Sequence, residues 1–211
     1  MNPAFRPQPH YLGRLITFEG IDGAGKSSHL LPLADALRAQ GREVILTREP
    51  GGAPLAEELR TLMLGHPMQG DTELLLAFAA RSEHLHQVIR PALARGAWVL
   101  CDRFTDSTYA YQGGGRGLPW DHIAMLEQLV HGDLQPSLTL WFDLEPALAA
   151  QRRQAARSAD RFESEDLAFF KNVRAGYLRR AKEHPQRVVR IDSEEDFAFI
   201  NRQLQEIVLS H

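Results

Sequence analysis

The chain has 211 residues, which at roughly 150 residues per domain favours one compact domain with a substantial core. With 44% hydrophobic and 24% charged residues, 16 Gly and 12 Pro, the composition is that of an ordinary globular protein and excludes collagen-like and disordered classes. Lys+Arg 24 against Asp+Glu 27 leaves a formal charge of -3, so no overall basic field exists to hold a nucleic-acid backbone, and any anion must be held locally.

The N-terminal stretch MNPAFRPQPHYLG lacks the apolar segment of a signal peptide, and no apolar run approaches the roughly 18 to 20 residues that span a bilayer. Residues 1–13 are expected to form a flexible leader before a single domain over 14–211, with no membrane or nucleic-acid partner. The single cysteine, Cys101, excludes an intrachain disulfide and any multi-cysteine metal site. Its use fits a reducing compartment, so a cytoplasmic location is expected.

Strands are expected at 15–18 (LITF), 44–47 (VILT), 98–101 (WVLC), 138–142 (LTLWF) and 187–191 (RVVRI), each a short apolar or β-branched run. Helical spacing fills 28–40, 72–94, 120–130, 145–156, 165–183 and about 194–209. Strands and helices alternate throughout. Strands of this kind form a parallel sheet with right-handed crossovers, hence a doubly wound α/β domain.

Ligands of such sheets bind beyond the carboxyl ends of the strands. After the first strand, GIDGAGKS at 20–27 satisfies G-x-x-x-x-G-K-[ST] between a strand and a helix, the full phosphate-binding P-loop. Gly20, Gly23 and Gly25 let backbone N–H groups turn inward around a phosphate, with Ile21, Asp22 and Ala24 between them. Lys26 reaches the β- and γ-phosphates, Ser27 is the expected Mg²⁺ ligand, and Ser28 follows in the first helical turn. After the second strand, TREPGG at 47–52 puts Arg48 at the rim of the same crevice. After the third, CDRFTDSTYAYQGGGRG at 101–117 supplies Asp102, a second magnesium-binding carboxylate, with Arg103 beside it. Two arginines and a carboxylate aimed at a P-loop fit a phosphorylated acceptor facing ATP.

Together GIDGAGKSS, TREPGG, the FAAR of Phe78 to Arg81, DRFTDSTYAYQGGGRG and the ADRFE of 159–163 resemble the thymidylate kinase family, most closely its bacterial type. The resemblance covers nearly all the chain after the leader. It implies a P-loop NTPase fold with a five-stranded parallel sheet and a small lid at about 151–163. It further implies transfer of phosphate from ATP to dTMP giving dTDP and ADP, with Mg²⁺ as cofactor, in a homodimer. By the same resemblance Arg48 and Arg103 grip the dTMP phosphate, and Asp22 lies near the deoxyribose 3'-hydroxyl. Arg81 meets thymine O4, Gln112 meets the base edge, and the ring of Tyr111 crowds C2'. Several family members carry their thymine-stacking aromatic four residues before the arginine, where this chain has Ala77; Phe78, three before, is the candidate here, with a core role as its alternative. The lid segment holds Arg152, Arg153, Arg157 and Arg161, of which Arg157 and Arg161 are the expected catalytic cations beside Lys26 and Arg103, because Ile21 to Ala24 contain no basic residue.

The chemistry is coherent. A phosphate monoester with a second pKa of about 6 is largely deprotonated near neutrality, so its attack needs no general base. Catalysis then rests on aligning and neutralising two anions. Two alternatives stand beside this one: a deoxynucleoside kinase, which would need a carboxylate base such as Glu49, and a non-enzymatic P-loop switch. The nine histidines show no metal-binding spacing, and Cys101, Trp98, Trp141 and Phe142 are expected in the core.

Overall fold

The computed structural model describes residues 11–154, 161–162 and 164–210. Five strands form one parallel sheet: β1 (Arg14–Glu19), β2 (Val44–Arg48), β3 (Trp98–Asp102), β4 (Leu138–Asp143) and β5 (Val188–Asp192), in spatial order β2-β3-β1-β4-β5. All five are the expected strands, the first four extended by a residue or two and the fifth shifted by one. The central position of β1 follows from its sequence, since every residue from Leu15 to Glu19 is buried, as helices on both faces require. Register aligns the strand ends, with Phe18 beside Asp102 and Arg48 beside Asp102 from the other side. Chain order reverses around β1, so the crevice opens beyond its carboxyl end.

Helices α1 (Lys26–Ala39), α2 (Pro54–Gly65), α3 (Gly70–His84), α4 (Arg90–Ala94), α5 (Thr105–Thr108), α6 (Trp120–Val130), α7 (Pro146–Gln154), α8 (Leu167–Glu183) and α9 (Phe197–Ser210) flank the sheet. The main core unites Ile16, Phe18, Leu37, Leu100, Leu140, Phe142, Phe170, Tyr177 and Leu204, each apolar side chain contributing roughly 1.5 to 3 kcal/mol on burial. Trp98, Cys101, Trp141 and Phe142 are all buried there or in the adjoining cluster. Asp166 caps α8 by accepting from the Phe169 backbone N–H at 2.7 Å, the usual use of an aspartate at a helix start.

Helix α2 is not among the expected helices, and three further differences have physical causes. The single helix expected over 72–94 is divided by a π-helical turn at Leu85–Ile89. The stretch 105–117, left without regular structure, continues from α5 into a π-helical segment at Tyr109–Gly115. Three consecutive glycines oppose helix on propensity alone, but here they are what lets this segment dock on α8. A Cβ on Gly114 would lie 2.6 Å from the Asn172 carbonyl oxygen, and one on Gly115 would lie 2.5 Å from the Phe169 ring. Within the segment expected as a leader, Tyr11 packs on the core beside β3, and the Gly13 N–H donates to the Leu93 carbonyl at 3.0 Å. Residues 1–10 lie outside the described residues.

Candidate active site

The loop after β1 is shaped by backbone requirements. Gly20 has φ 138°, and a Cβ there would sit 2.3 Å from the Phe142 carbonyl oxygen. Gly23 and Gly25 both have φ 87°, the left-handed region that glycine adopts without penalty. The side chains of Ile21 and Ala24 are buried in the core, leaving their backbone for the ligand side. No acidic residue occupies the first turn of α1, so its positive end is uncompensated. Lys26 is buried and donates to the Ile21 carbonyl at 3.1 Å; burial, then the Arg103 charge, pull its pKa down. Ser28 continues the turn, its N–H donating to Gly25 O at 3.2 Å.

Ser27 Oγ donates to Asp102 Oδ2 at 2.6 Å. Asp102 Oδ1 is buried without a hydrogen-bond partner among the described residues. A hydroxyl and a carboxylate at the mouth of a P-loop are the oxygen donors that Mg²⁺ takes from protein while keeping several waters. Among the described residues no group of three or more His, Cys, Asp or Glu gathers into a metal site.

Arg103 stands at the junction. It is a non-glycine residue at φ 69°, a conformation that persists only when its surroundings enforce it. Its N–H donates to Phe18 O, and the next N–H, of Phe104, donates to Glu19 Oε1. The guanidinium donates to Gly20 O (2.9 Å), Asp22 Oδ1 (2.7 Å), Ser107 Oγ (3.1 Å), Tyr111 OH (3.1 Å) and Tyr177 OH (3.2 Å). Burial pushes the Asp22 carboxyl up, but Arg103, Lys26 and hydrogen bonds from Arg103 and Tyr111 outweigh it and hold it below the usual carboxylate range.

Beyond Arg103 opens a cleft with about 700 Å³ of space free of protein, solvent at its mouth included, lined by Asp22, Glu49, Arg60, Ala77, Arg81, Arg103, Tyr111, Gln112 and Phe162 among others. Arg81 is buried, with Nε 2.7 Å from Glu49 Oε2 and Nη2 3.0 Å from Thr108 Oγ1. Its Nη1 is buried without a hydrogen-bond partner among the described residues. Glu49 Oε1 is 3.0 Å from His84 Nδ1, and His84 Nε2 is 2.6 Å from Thr47 Oγ1. Both Glu49 oxygens are thus engaged by protein, and the Arg81 charge and the His84 contact hold its pKa below the ordinary carboxylate value, which makes it a poor base for a deoxynucleoside kinase.

Three residues stand apart from the places that the resemblance implies. Phe78 does not line the cleft: it is buried with Leu74, Tyr109 and Ile123, and the Arg81 guanidinium lies 4.8 Å from its ring centroid. Ala77 and Arg81, four apart on one helical face, form the wall, and Phe78 is rotated away from it. The aromatic surface there comes from Phe162 and Tyr111, whose rings meet edge-on at 5.8 Å. Arg48 is exposed and paired with Glu57 at 3.0 Å, off the cleft wall; Arg60, donating to Pro50 O at 2.9 Å, lies on it. Arg161 does not approach the P-loop: its Nη2 is 2.7 Å from Glu73 Oε2 and its Nε donates to Met63 O. Arg152 is exposed, with Nη1 on Ser193 O at 3.1 Å. Arg157 lies outside the described residues, as does the side chain of Arg153.

Sequence reasoning missed Arg60, Glu73, His84 and Phe162. Phe162 stood inside the ADRFE string beside the arginine that drew attention. Glu73 had no signal, since an acid in the first turn of α3 is what the helix dipole alone would favour.

A P-loop whose arginine bridges it to a second, cation-lined cleft defines a phosphotransferase that brings a nucleotide donor and a phosphorylated acceptor face to face. The comparisons narrow the class. Residues 18–204 match the family model described as thymidylate kinase. A protein named thymidylate kinase from Paraburkholderia xenovorans is 56% identical over 200 residues, covering 93% of this chain and 97% of its own. One of the same name from Burkholderia cenocepacia is 54% identical over the same coverage. A crystal structure of thymidylate kinase from Ehrlichia chaffeensis superposes with a TM-score of 0.77 at 34% identity, over 93% of this chain and 98% of that one. The chain belongs to the thymidylate kinase family.

Proposed function

We propose that ATP lies with its phosphates in the loop 20–28 and dTMP in the cleft beyond Arg103. The chain is an ATP-dependent dTMP kinase, yielding dTDP and ADP. The observation that carries the assignment of sites is Arg103, which holds Gly20 and Asp22 of the P-loop with the same guanidinium that reaches Ser107 and Tyr111 in the cleft.

In this reading the dTMP oxygen that attacks is already anionic, and the protein supplies alignment and positive charge. Lys26 exchanges its contact with Ile21 O for the β- and γ-phosphates. Arg103 and Arg60 meet the acceptor phosphate, and Arg48 would join them only by leaving Glu57. Asp22 accepts from the 3'-hydroxyl and the Tyr111 ring crowds C2'. The free Nη1 of Arg81 donates to thymine O4, Gln112 meets the base edge, and Phe162 covers it. Ser27 and Asp102 would hold Mg²⁺, which when bound neutralises charge between the β- and γ-phosphates. Arg157, which lies outside the described residues, keeps its expected role at the transferring phosphoryl, while Arg161 is held by Glu73 and Met63. A homodimer is supported by exposed Leu75, Met125 and Leu129 on the adjoining helices α3 and α6, apolar surface of the sort subunits cover. A cytoplasmic location fits the free, buried Cys101; among the described residues no helix is long and apolar enough to cross a membrane.

A coupled assay with ATP and dTMP, dUMP, dCMP or thymidine tests the acceptor, and Lys26→Met tests the donor loop. Turnover should require a monophosphate, and Lys26→Met should lose at least about 10²-fold in kcat with an unchanged fold, the scale of losing one charge-stabilising donor. Preferred phosphorylation of thymidine, or near-normal turnover in the variant, would overturn the assignment.

A further inference from the structure

Behind Gln112, Glu73 makes contacts that the reaction itself does not call for. It is 0% exposed on the first turn of α3. Oε1 accepts from Gln112 Nε2 at 2.7 Å. Oε2 lies 3.3 Å from Arg116 Nε and 2.7 Å from Arg161 Nη2. Arg116 also pairs with Glu165 at 2.5 Å. A carboxylate set between two guanidinium groups accepts hydrogen bonds and has none to give. Only the NH₂ end of the Gln112 amide can therefore face it. The carbonyl end, Oε1, has no protein donor among the described residues, while Gln112 is 4% exposed and lines the cleft.

We infer that Glu73 is a positioning residue that fixes Gln112 as a hydrogen-bond acceptor toward the base and so makes the cleft select a pyrimidine with an imide N–H over cytosine. The inference rests on the proposed seating of the base against Gln112 and adds to it the polarity of the contact. Two unsatisfied groups then face one ligand: Arg81 Nη1, a donor, and Gln112 Oε1, an acceptor. Thymine offers the complement, an O4 acceptor beside an N3–H donor. Cytosine offers the inverse, an amino donor beside an N3 acceptor, and would leave both protein groups opposed by like partners. Were Gln112 free to turn, its NH₂ could serve an N3 acceptor and half of that opposition would vanish. Glu73 prevents the turn.

The test compares kcat/KM for dTMP and dCMP in the full-length enzyme, the Glu73→Gln variant and the Gln112→Ala variant. A glutamine at 73 accepts or donates equally well, so Gln112 is released to either orientation. The dTMP-to-dCMP ratio should then fall by at least about tenfold, with a raised KM for dTMP, a gain for dCMP, and kcat at saturating dTMP within about threefold of the parent. Arg81 still opposes the cytosine amino group, so discrimination is reduced and not abolished. A purely structural role for Glu73 would lower both substrates alike and leave the ratio unchanged, which would overturn the inference. If Gln112→Ala leaves dTMP kinetics untouched, the base does not meet Gln112 and both the seating and the inference fall. If Gln112→Ala is impaired while the Glu73→Gln ratio holds, the inference alone falls. Should Glu73→Gln not fold, the exchange Glu73→Gln with Gln112→Glu decides. It keeps one carboxylate among Arg116 and Arg161 and presents an acceptor to the base, so the parental preference for dTMP should survive; its loss would refute the argument.

Discussion

Glu49→Gln separates two accounts of the acceptor side. Glu49 is 4% exposed, 2.7 Å from Arg81 Nε and 3.0 Å from His84 Nδ1. Burial pushes its carboxyl up, but the Arg81 charge and the His84 contact outweigh this and leave it below its ordinary value. It is therefore a fixed anion near neutrality, with a positional task. The amide keeps the shape and one acceptor while removing the charge opposite a buried guanidinium. Charges about 4 Å apart at an effective dielectric near 20 interact by about 4 kcal/mol, and breaking one side of a buried pair costs about 3 to 5 kcal/mol. With one hydrogen bond retained, about 2 to 4 kcal/mol is expected, roughly 5 to 15 °C in Tm for a chain of this size. In kinetics, Arg81 loses its anchor, so KM for dTMP should rise about 10- to 100-fold while kcat stays within about fivefold, because the acceptor oxygen needs no base. Thermal unfolding beside steady-state kinetics across pH measures both. A kcat lowered by about 10² or more with KM unchanged, or loss of an acidic limb from the kcat profile, would make Glu49 a base and refute the reasoning.

Two further outcomes are expected. Gly114→Ala would drive a Cβ to 2.6 Å from the Asn172 carbonyl oxygen, backbone that cannot turn aside. It should cost about 1 to 3 kcal/mol and raise KM for dTMP by displacing Gln112 two residues earlier; parental Tm and KM would refute that account of the glycines. Glu19, buried under Arg103, accepts from Phe104 N–H and Ser107 Oγ, and burial, then the Asp106 charge, push its carboxyl from 4.5 up to about 7. The folded state thus keeps a proton that the unfolded chain releases, so this group's contribution to stability falls as pH rises through that window, by at most roughly 1.4 kcal/mol per unit. Glu19→Gln cannot titrate, so its stability relative to the parent should climb between about pH 5 and about pH 7.5 in urea unfolding; a difference constant with pH would exclude the effect.

What the sequence made legible divides along physical lines. The strands and the P-loop are local features: an apolar run buried on both faces, and glycines whose φ values of 138°, 87° and 87° suit no other residue well. The segment 105–115 was illegible because its helical form depends on α8, more than fifty residues further on, packing into the space that Gly114 and Gly115 leave. Phe78 against Ala77 turns on a rotation of 100° about one helix, which a count of offsets from Arg81 does not resolve. Glu73 and Arg161 meet across 88 positions, and neither carries a motif that names the other.

The pairing of charges in the cleft bears on how it receives an anion. Arg81 faces Glu49, Arg161 and Arg116 face Glu73, and Arg103 faces Asp22. A cleft so neutralised does not attract phosphate by net charge, and attraction must come from donors whose present partners are weak. Arg103 qualifies, since only one of its five acceptors is a carboxylate and the rest are a carbonyl and hydroxyls. Lys26, which rests on the Ile21 carbonyl, qualifies as well. A dianionic phosphate makes stronger, charge-assisted bonds to both than those neutral oxygens do. A neutral hydroxyl offers no such gain, so the cleft favours a nucleotide over a nucleoside through the exchange of partners at two cations.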